Sequence, residues 1–200
     1  MSKVPSLPYA QSVQALQKDG WTGEEEAQMS IKVLVAYATK YGATARIAEK
    51  IGETLRQAGL QAEVLPVEQV QDLAPYGAVV LGSAVYAGQW RKEAAAFLKA
   101  HAEALAQRPV WLFSSGPTGE GDPVQLMKGW RFPEALQPLA DRIGPRDIAF
   151  FHGALDPERL SLGERLLIGA LKAPTGDYRD WEAIAAWASA IAEALKAGHV

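Results

Sequence analysis

Cysteine is absent from this chain. That excludes disulfides, thiolate nucleophiles, iron–sulfur clusters and Cys-ligated zinc. Redox chemistry, if the chain performs any, has to come from a bound cofactor. Histidine is scarce, with three in 200 residues, and its scatter leaves a metal site unsupported. No clustered run of Lys and Arg accompanies the net charge of −3, so no nucleic-acid partner is expected. No run of about 18 apolar residues occurs, so no transmembrane helix is expected. The stretch from Gln11 to Gln28 is polar and acidic where a signal peptide would be apolar, which makes the cytoplasm the default expectation. Internal repeats and low-complexity tracts are also lacking.

What is present is ordinary globular material, 48% hydrophobic and 22% charged, enough for a sizeable core. Two hundred residues suit one domain with a short extension. Residues 1–30 read as that extension, interrupted by Pro5 and Pro8, with Gln11 to Lys18 able to form two helical turns; Met29 is an alternative start. The folded domain is expected over 31–200. From Ile31 strands and helices alternate. Strands are expected at Ile31–Tyr37, Ala62–Val67, Gly77–Gly82, Pro109–Phe113 and Asp147–Phe151. Helices are expected at Thr44–Ala58, Glu93–Ala106, Pro133–Ile143, Arg159–Lys172 and Asp180–Lys196. The pattern predicts an α/β fold: a doubly wound, five-stranded parallel sheet with helices on both faces. A ligand in such a sheet sits beyond the carboxyl ends of the strands, so the loops after the first, third and fourth strands carry the argument.

The first of these loops, Thr39-Lys40-Tyr41-Gly42-Ala43-Thr44, runs straight into a helix. The N–H groups of a first helical turn lack internal partners and carry partial positive charge. Thr39 and Thr44 add hydroxyl donors, and Gly42 permits close backbone approach. These features suit a phosphate. G-x-G-x-x-G and G-x-x-x-x-G-K-[ST] are both missing, which argues against a dinucleotide fingerprint and a Walker loop. A phosphatase loop needs a cysteine, and a receiver site needs acidic residues where Tyr37, Ala38, Gly82 and Ser83 stand. A plain Thr-capped turn stays open as the alternative.

The run Lys32 to Thr44 (KVLVAYATKYGAT) resembles the N-terminal FMN-phosphate signature of the flavodoxin family, in the branch of the menaquinone-dependent protoporphyrinogen IX dehydrogenases. Val80 to Trp90, Phe151 to Asp156 and Tyr178 to Trp181 are similar to the same branch, and the resemblance spans about residues 31–196. It implies FMN as cofactor and a flavoprotein oxidoreductase. It also implies that Ser83-Ala84-Val85-Tyr86-Ala87-Gly88 and Trp90 line the flavin ring, with Tyr86 or Trp90 stacking on it. Ser114-Ser115-Gly116-Pro117-Thr118-Gly119 would bond the ring's polar edge. No aromatic occurs in Ser114 to Asp122, which favours an open ring face and a flat electron donor or acceptor, quinone- or porphyrinogen-like. Two other classes stay open: an electron carrier serving a redox protein, and a module that has lost its cofactor. No catalytic acid or base is named. His152 is read as structural and Asp156 as a cap. Trp181, Ile184, Trp187 and Ile191 are read as a packing face. The apolar stretch Leu160, Leu166, Leu167, Ile168 and Leu171, flanked by Arg159, Arg165 and Lys172, is read as a helix covering the sheet edge. A quinone, a partner protein or a membrane surface is its alternative contact, and a homodimer is compatible with this reading.

Overall fold

Parallel strands need crossovers long enough to hold a helix; most connections here carry one, while a 3₁₀ turn over Val67–Gln69 follows the second strand. The computed structural model describes residues 31–171 and 174–198. The expected extension over 1–30, the turns at Gln11–Lys18 and the last residue of the Arg159–Lys172 helix lie outside the described residues. In chain order the elements are β1 (Lys32–Ala38), α1 (Ala43–Gln57), β2 (Gln61–Pro66), β3 (Ala78–Tyr86), β4 (Gln89–Trp90), α2 (Lys92–Ala100), α3 (Ala102–Leu105) and β5 (Val110–Ser115). They continue with α4 (Pro123–Leu126), α5 (Gln137–Ile143), β6 (Asp147–Phe151), β7 (Ala154–Leu155), α6 (Leu162–Leu171), β8 (Gly176–Asp177) and α7 (Trp181–Lys196).

Five parallel strands form the sheet in the order β2-β1-β3-β5-β6. The order reverses between β1 and β3, which places the switch-point crevice beside the loops that follow them. Alternating side chains sort the core into two layers. Leu34, Ala36, Leu81 and Leu112 face α2, α3 and α5 through Phe97, Leu98, Leu105 and Ile143. Val33, Val35, Val80, Trp111 and Phe113 face α1 and α7 through Ile47, Ile51, Leu55, Ile184 and Ile191. Strands buried on both faces explain why the runs read as continuously apolar.

Four expected strands agree within two residues. The third runs on to Tyr86, because β4 turns back and pairs with it, Val85 opposite Trp90 and Tyr86 opposite Gln89. The expected Glu93–Ala106 helix breaks at His101, whose ring lies tilted against Phe97 with centroids 4.5 Å apart. The expected helix from Arg159 begins at Leu162 instead. Asp156 and Pro157 start a separate 3₁₀ turn over Pro157–Arg159, with the Asp156 carboxylate accepting from the Glu158 N–H. The small antiparallel pair β7–β8 has no signature in the sequence pattern, since each strand is two residues long.

Candidate functional site

The first loop ends in a left-handed residue. Gly42 has φ +88°, and its N–H donates to Thr39 Oγ1 at 3.0 Å. That bond closes the turn and leaves the Thr39 hydroxyl its own proton to donate. α1 then starts with no side-chain cap and no acidic residue in its first turn. Its positive end is uncompensated from within the element. The Thr44 hydroxyl is fully buried and has no hydrogen-bond partner among the described residues. A buried hydroxyl left unmatched costs about 1–3 kcal/mol, which an acceptor from a ligand removes. These groups fit a phosphate.

Lys40 and Tyr41 turn away from that end. The Lys40 ammonium ion-pairs with the Glu164 carboxylate of α6, and the Tyr41 hydroxyl donates to its other oxygen at 2.5 Å. Ser161 adds its hydroxyl at 2.6 Å and its N–H at 3.0 Å. The bond from Lys40, then those from Ser161 and Tyr41, hold the Glu164 carboxyl far below the usual range, and the same carboxylate raises Lys40. Glu164 thus ties α6 to the first loop, while Arg165 of the same helix bonds back to the Glu158 and Leu160 carbonyls. Leu160 is buried, while Leu162 and Leu166 are 76% and 69% exposed. The side chains of Leu167 and Leu171 lie outside the described residues.

The stretch after β3 is a hairpin rather than a loop. Ala87 and Gly88, with φ of 48° and 72°, form its two-residue turn, matching the positive-φ pair that such turns require. The usual Asn-Gly or Asp-Gly signal is missing, which hid it from sequence reasoning. Ser83 is buried, accepting from the Arg91 N–H and donating to the Ala84 carbonyl, both at 2.9 Å. Ala84 is buried beside it and Val85 packs against the core. Trp90 is only 6% exposed; its indole N–H donates to Ser114 Oγ at 2.9 Å, and its ring meets Phe132 edge-on. This corrects Trp90 as a stacking candidate, because both its ring and its polar atom are engaged inside the core. Tyr86 is the aromatic left at the rim, 40% exposed, with the Lys40 ammonium 5.9 Å from its centroid. Partial burial raises its hydroxyl. Gly82 serves packing: an added Cβ would lie 2.0 Å from the Phe113 ring.

The third segment is equally structured. Ser114 and Ser115 belong to β5 and are buried. Ser114 Oγ accepts from Trp90 and donates to the Arg131 carbonyl at 2.9 Å, so it is not available to a ring edge. The Gly116 N–H bonds the Phe151 carbonyl, and the Gly153 N–H bonds the Pro117 carbonyl. The Thr118 hydroxyl donates to the Pro174 carbonyl at 2.6 Å, and Gly119 runs beside Leu126 and Pro174. His152, 9% exposed, sets Nε2 2.7 Å from the Gly121 carbonyl and Nδ1 3.3 Å from that of Pro117. Both ring nitrogens thus face backbone carbonyls of the segment after β5. The hydroxyls of Ser114 and Thr118 thus face protein, while Tyr86 stays partly exposed.

Sequence reasoning missed a cavity of about 370 Å3 flanking the first loop, bordered by Tyr41, Gly42, Arg46, Arg159, Asp177 and Arg179. Arg159 donates to the Tyr41 carbonyl at 2.9 Å and Arg179 to that of Ala43 at 3.2 Å. Arg179 also chelates Asp177, which lowers that carboxyl. Residues so distant in the chain carry no local signal that groups them. Trp181, expected to pack, is 36% exposed under the Arg179 guanidinium, whereas Ile184 and Ile191 are buried and Trp187 packs on Phe151. Among the described residues no group of three or more His, Cys, Asp or Glu is placed to hold a metal ion. No helix there is long and apolar enough to cross a membrane.

A profile of the flavodoxin domain matches residues 34–182. The chain belongs to the flavodoxin domain family. Among curated proteins it is similar to protoporphyrinogen IX dehydrogenase [quinone] of Escherichia coli (strain K12), with 26% identity over 81% of this chain and 95% of the relative. Among solved structures it resembles an archaeal flavodoxin (TM-score 0.54, 16% identity, 83% of this chain and 99% of that one). It also resembles a WrbA-like flavodoxin from Agrobacterium tumefaciens (TM-score 0.53, 19% identity, 84% and 99%). These structures share the fold. Family and relatives together support a flavodoxin-type redox protein, an oxidoreductase or an electron carrier.

Proposed function

We propose that this flavodoxin-family protein binds FMN, seats its phosphate on the N-terminus of α1, and acts as an oxidoreductase toward a flat quinone- or porphyrinogen-like partner. The observation that carries the reading is the bare start of α1 above a buried, unmatched Thr44 hydroxyl. The Ala43 and Thr44 N–H groups and the Thr39 and Thr44 hydroxyls hold the phosphate. Tyr86, exposed at the hairpin, offers a face to the ring, and the Pro117–Gly119 backbone borders its polar edge. Gly116–Gly121, bound to His152 and residue 174, keeps that border fixed when a substrate approaches. FMN when bound supplies the electron transfer that no side chain here provides. The name of the Escherichia coli relative supports the choice of partner.

Titration of the apo-protein with FMN and riboflavin tests the phosphate seat. FMN is expected to bind at least about tenfold more tightly, the equivalent of one charge-assisted hydrogen bond; equal affinities would overturn the reading. Stopped-flow reoxidation by a menaquinone analogue then separates enzyme from carrier. A rate no faster than that of free FMN, with rapid transfer to a redox protein, makes the chain a carrier.

A further inference from the structure

We infer that the cavity flanking the first loop is a second anion subsite, taking the phosphate or carboxylate group of an organic ligand beside the flavin phosphate; its position relative to the flavin rests on the function proposed above. Three guanidinium groups and two carboxylates border it: Arg46, Arg159 and Arg179 against Asp156 and Asp177. Arg179 is locked in place, with its side chain 7% exposed, on Asp177 and the Ala43 carbonyl. Arg159 lies 3.5 Å from Asp156 and donates to the Tyr41 carbonyl. Each carboxylate thus has its own arginine. Arg46, one turn into α1, forms no ion pair among the described residues, although its charge is felt at Asp177. The cavity therefore carries an unbalanced positive charge next to the positive end of α1, and such a concavity concentrates anions. Guanidinium groups match carboxylate and phosphate oxygens in pairs.

Ala154, Leu155 and Pro157 add apolar lining to the same cavity. A volume of about 370 Å3 far exceeds one inorganic ion and falls at the lower end of small-molecule sites. Cationic and apolar lining in one cavity of this size fits an organic anion rather than a bare ion. Two sources share this chemistry: the distal phosphate half of a dinucleotide flavin, and a separate anionic substrate.

Calorimetric titration of the FMN-loaded full chain with adenosine 5′-monophosphate and with phthalate tests the site, with adenosine as the uncharged control. Both anions are expected to bind at one site and adenosine not. Arg46→Gln and, independently, Arg159→Gln are expected to weaken the anions about tenfold or more while the flavin spectrum is kept. No binding of either anion, or binding indifferent to both substitutions, overturns the subsite. So does one-for-one displacement of FMN by adenosine monophosphate, which would make the cavity the flavin phosphate seat. FAD that expels adenosine monophosphate identifies the dinucleotide source, and FAD that coexists with it identifies a separate ligand; either upholds the subsite. If FMN fails to bind while Arg46-dependent anion binding persists, the subsite stands and the FMN reading falls.

Discussion

Two helices on the same face of the sheet begin in opposite ways. α1 and α7 pack together through Ile47, Ile51 and Leu55 against Ile184, Ala188 and Ile191. α7 closes its own start: the Asp180 carboxylate accepts from the Ala183 N–H at 2.9 Å, and Glu182 adds negative charge to the first turn. α1 does neither. It begins at a left-handed glycine, carries no acid in its first turn, and buries an unmatched hydroxyl there. The same four orphan N–H groups face both helices. A helix that meets the demand internally has no call for an external anion, while one that leaves it unmet is a ready anion site. The contrast separates a helix start satisfied from within from one left open to an external acceptor.

The comparison can be broken most sharply at Thr44. Thr44→Val keeps the shape and removes the hydroxyl, so FMN affinity is expected to fall about 10- to 150-fold, or 1.5–3 kcal/mol, with riboflavin unaffected. Because the hydroxyl is unmatched in the free protein, the apo form of the same variant is expected to melt higher than wild type. Flavin titration and thermal melts of the apo-protein read the two opposite signs. A loss of apo stability without a change in FMN affinity would make Thr44 an ordinary core residue.

The complementary change is Asp180→Ala. It removes a cap, so stability should fall by about 1 kcal/mol, or 2–4 °C in Tm for a domain of this size. FMN affinity should stay within experimental error of wild type. Were flavin binding to weaken as much as in Thr44→Val, the two helix starts would not be separable.

The smallest effect concerns how α6 is held over the first loop. Bonds from Lys40, Ser161 and Tyr41 depress the Glu164 carboxyl in the folded state. A depressed carboxyl stabilises the fold above its unfolded pKa, about 4.3 for Glu. That contribution is present near neutral pH and is lost as pH falls below about 4.3 toward the folded value. Solvent screens the network, so the effect is modest. Melting curves from pH 7 to pH 3 should show Glu164→Gln less acid-sensitive than wild type. Parallel curves would mean that Glu164 contributes nothing to the fold.

Much of this molecule can be read without coordinates, for local reasons. The strand runs are apolar because parallel strands are buried on both faces, and α1 is amphipathic at every fourth residue through Ile47, Ile51 and Leu55. The turn from Thr39 to Thr44 is a short-range object, and its bare helix start is visible as a lack of Asp or Glu. The ring-side candidates fared differently. Trp90 is apolar and next to a turn in either reading; whether it stacks on a ligand or enters the core depends on Ser114, Phe132 and the hairpin that folds it inward. Ser83, Ser114 and Thr118 carry hydroxyls in any reading, but their partners Arg91, Arg131 and Pro174 stand 8, 17 and 56 residues further along the chain.

By itself, then, the order of residues determined the α/β class, the parallel sheet and a phosphate-suited loop, because periodicity, turn chemistry and capping act over a few residues. Tertiary structure alone decided which aromatic stays at the rim, which hydroxyls are already bonded, that Glu164 ties α6 to Lys40 and Tyr41, and that Arg46, Arg159 and Arg179 meet in one cavity. The last two outcomes join groups more than a hundred residues apart. Nothing in a local window encodes such a meeting; it exists only once the sheet order brings the strand ends together.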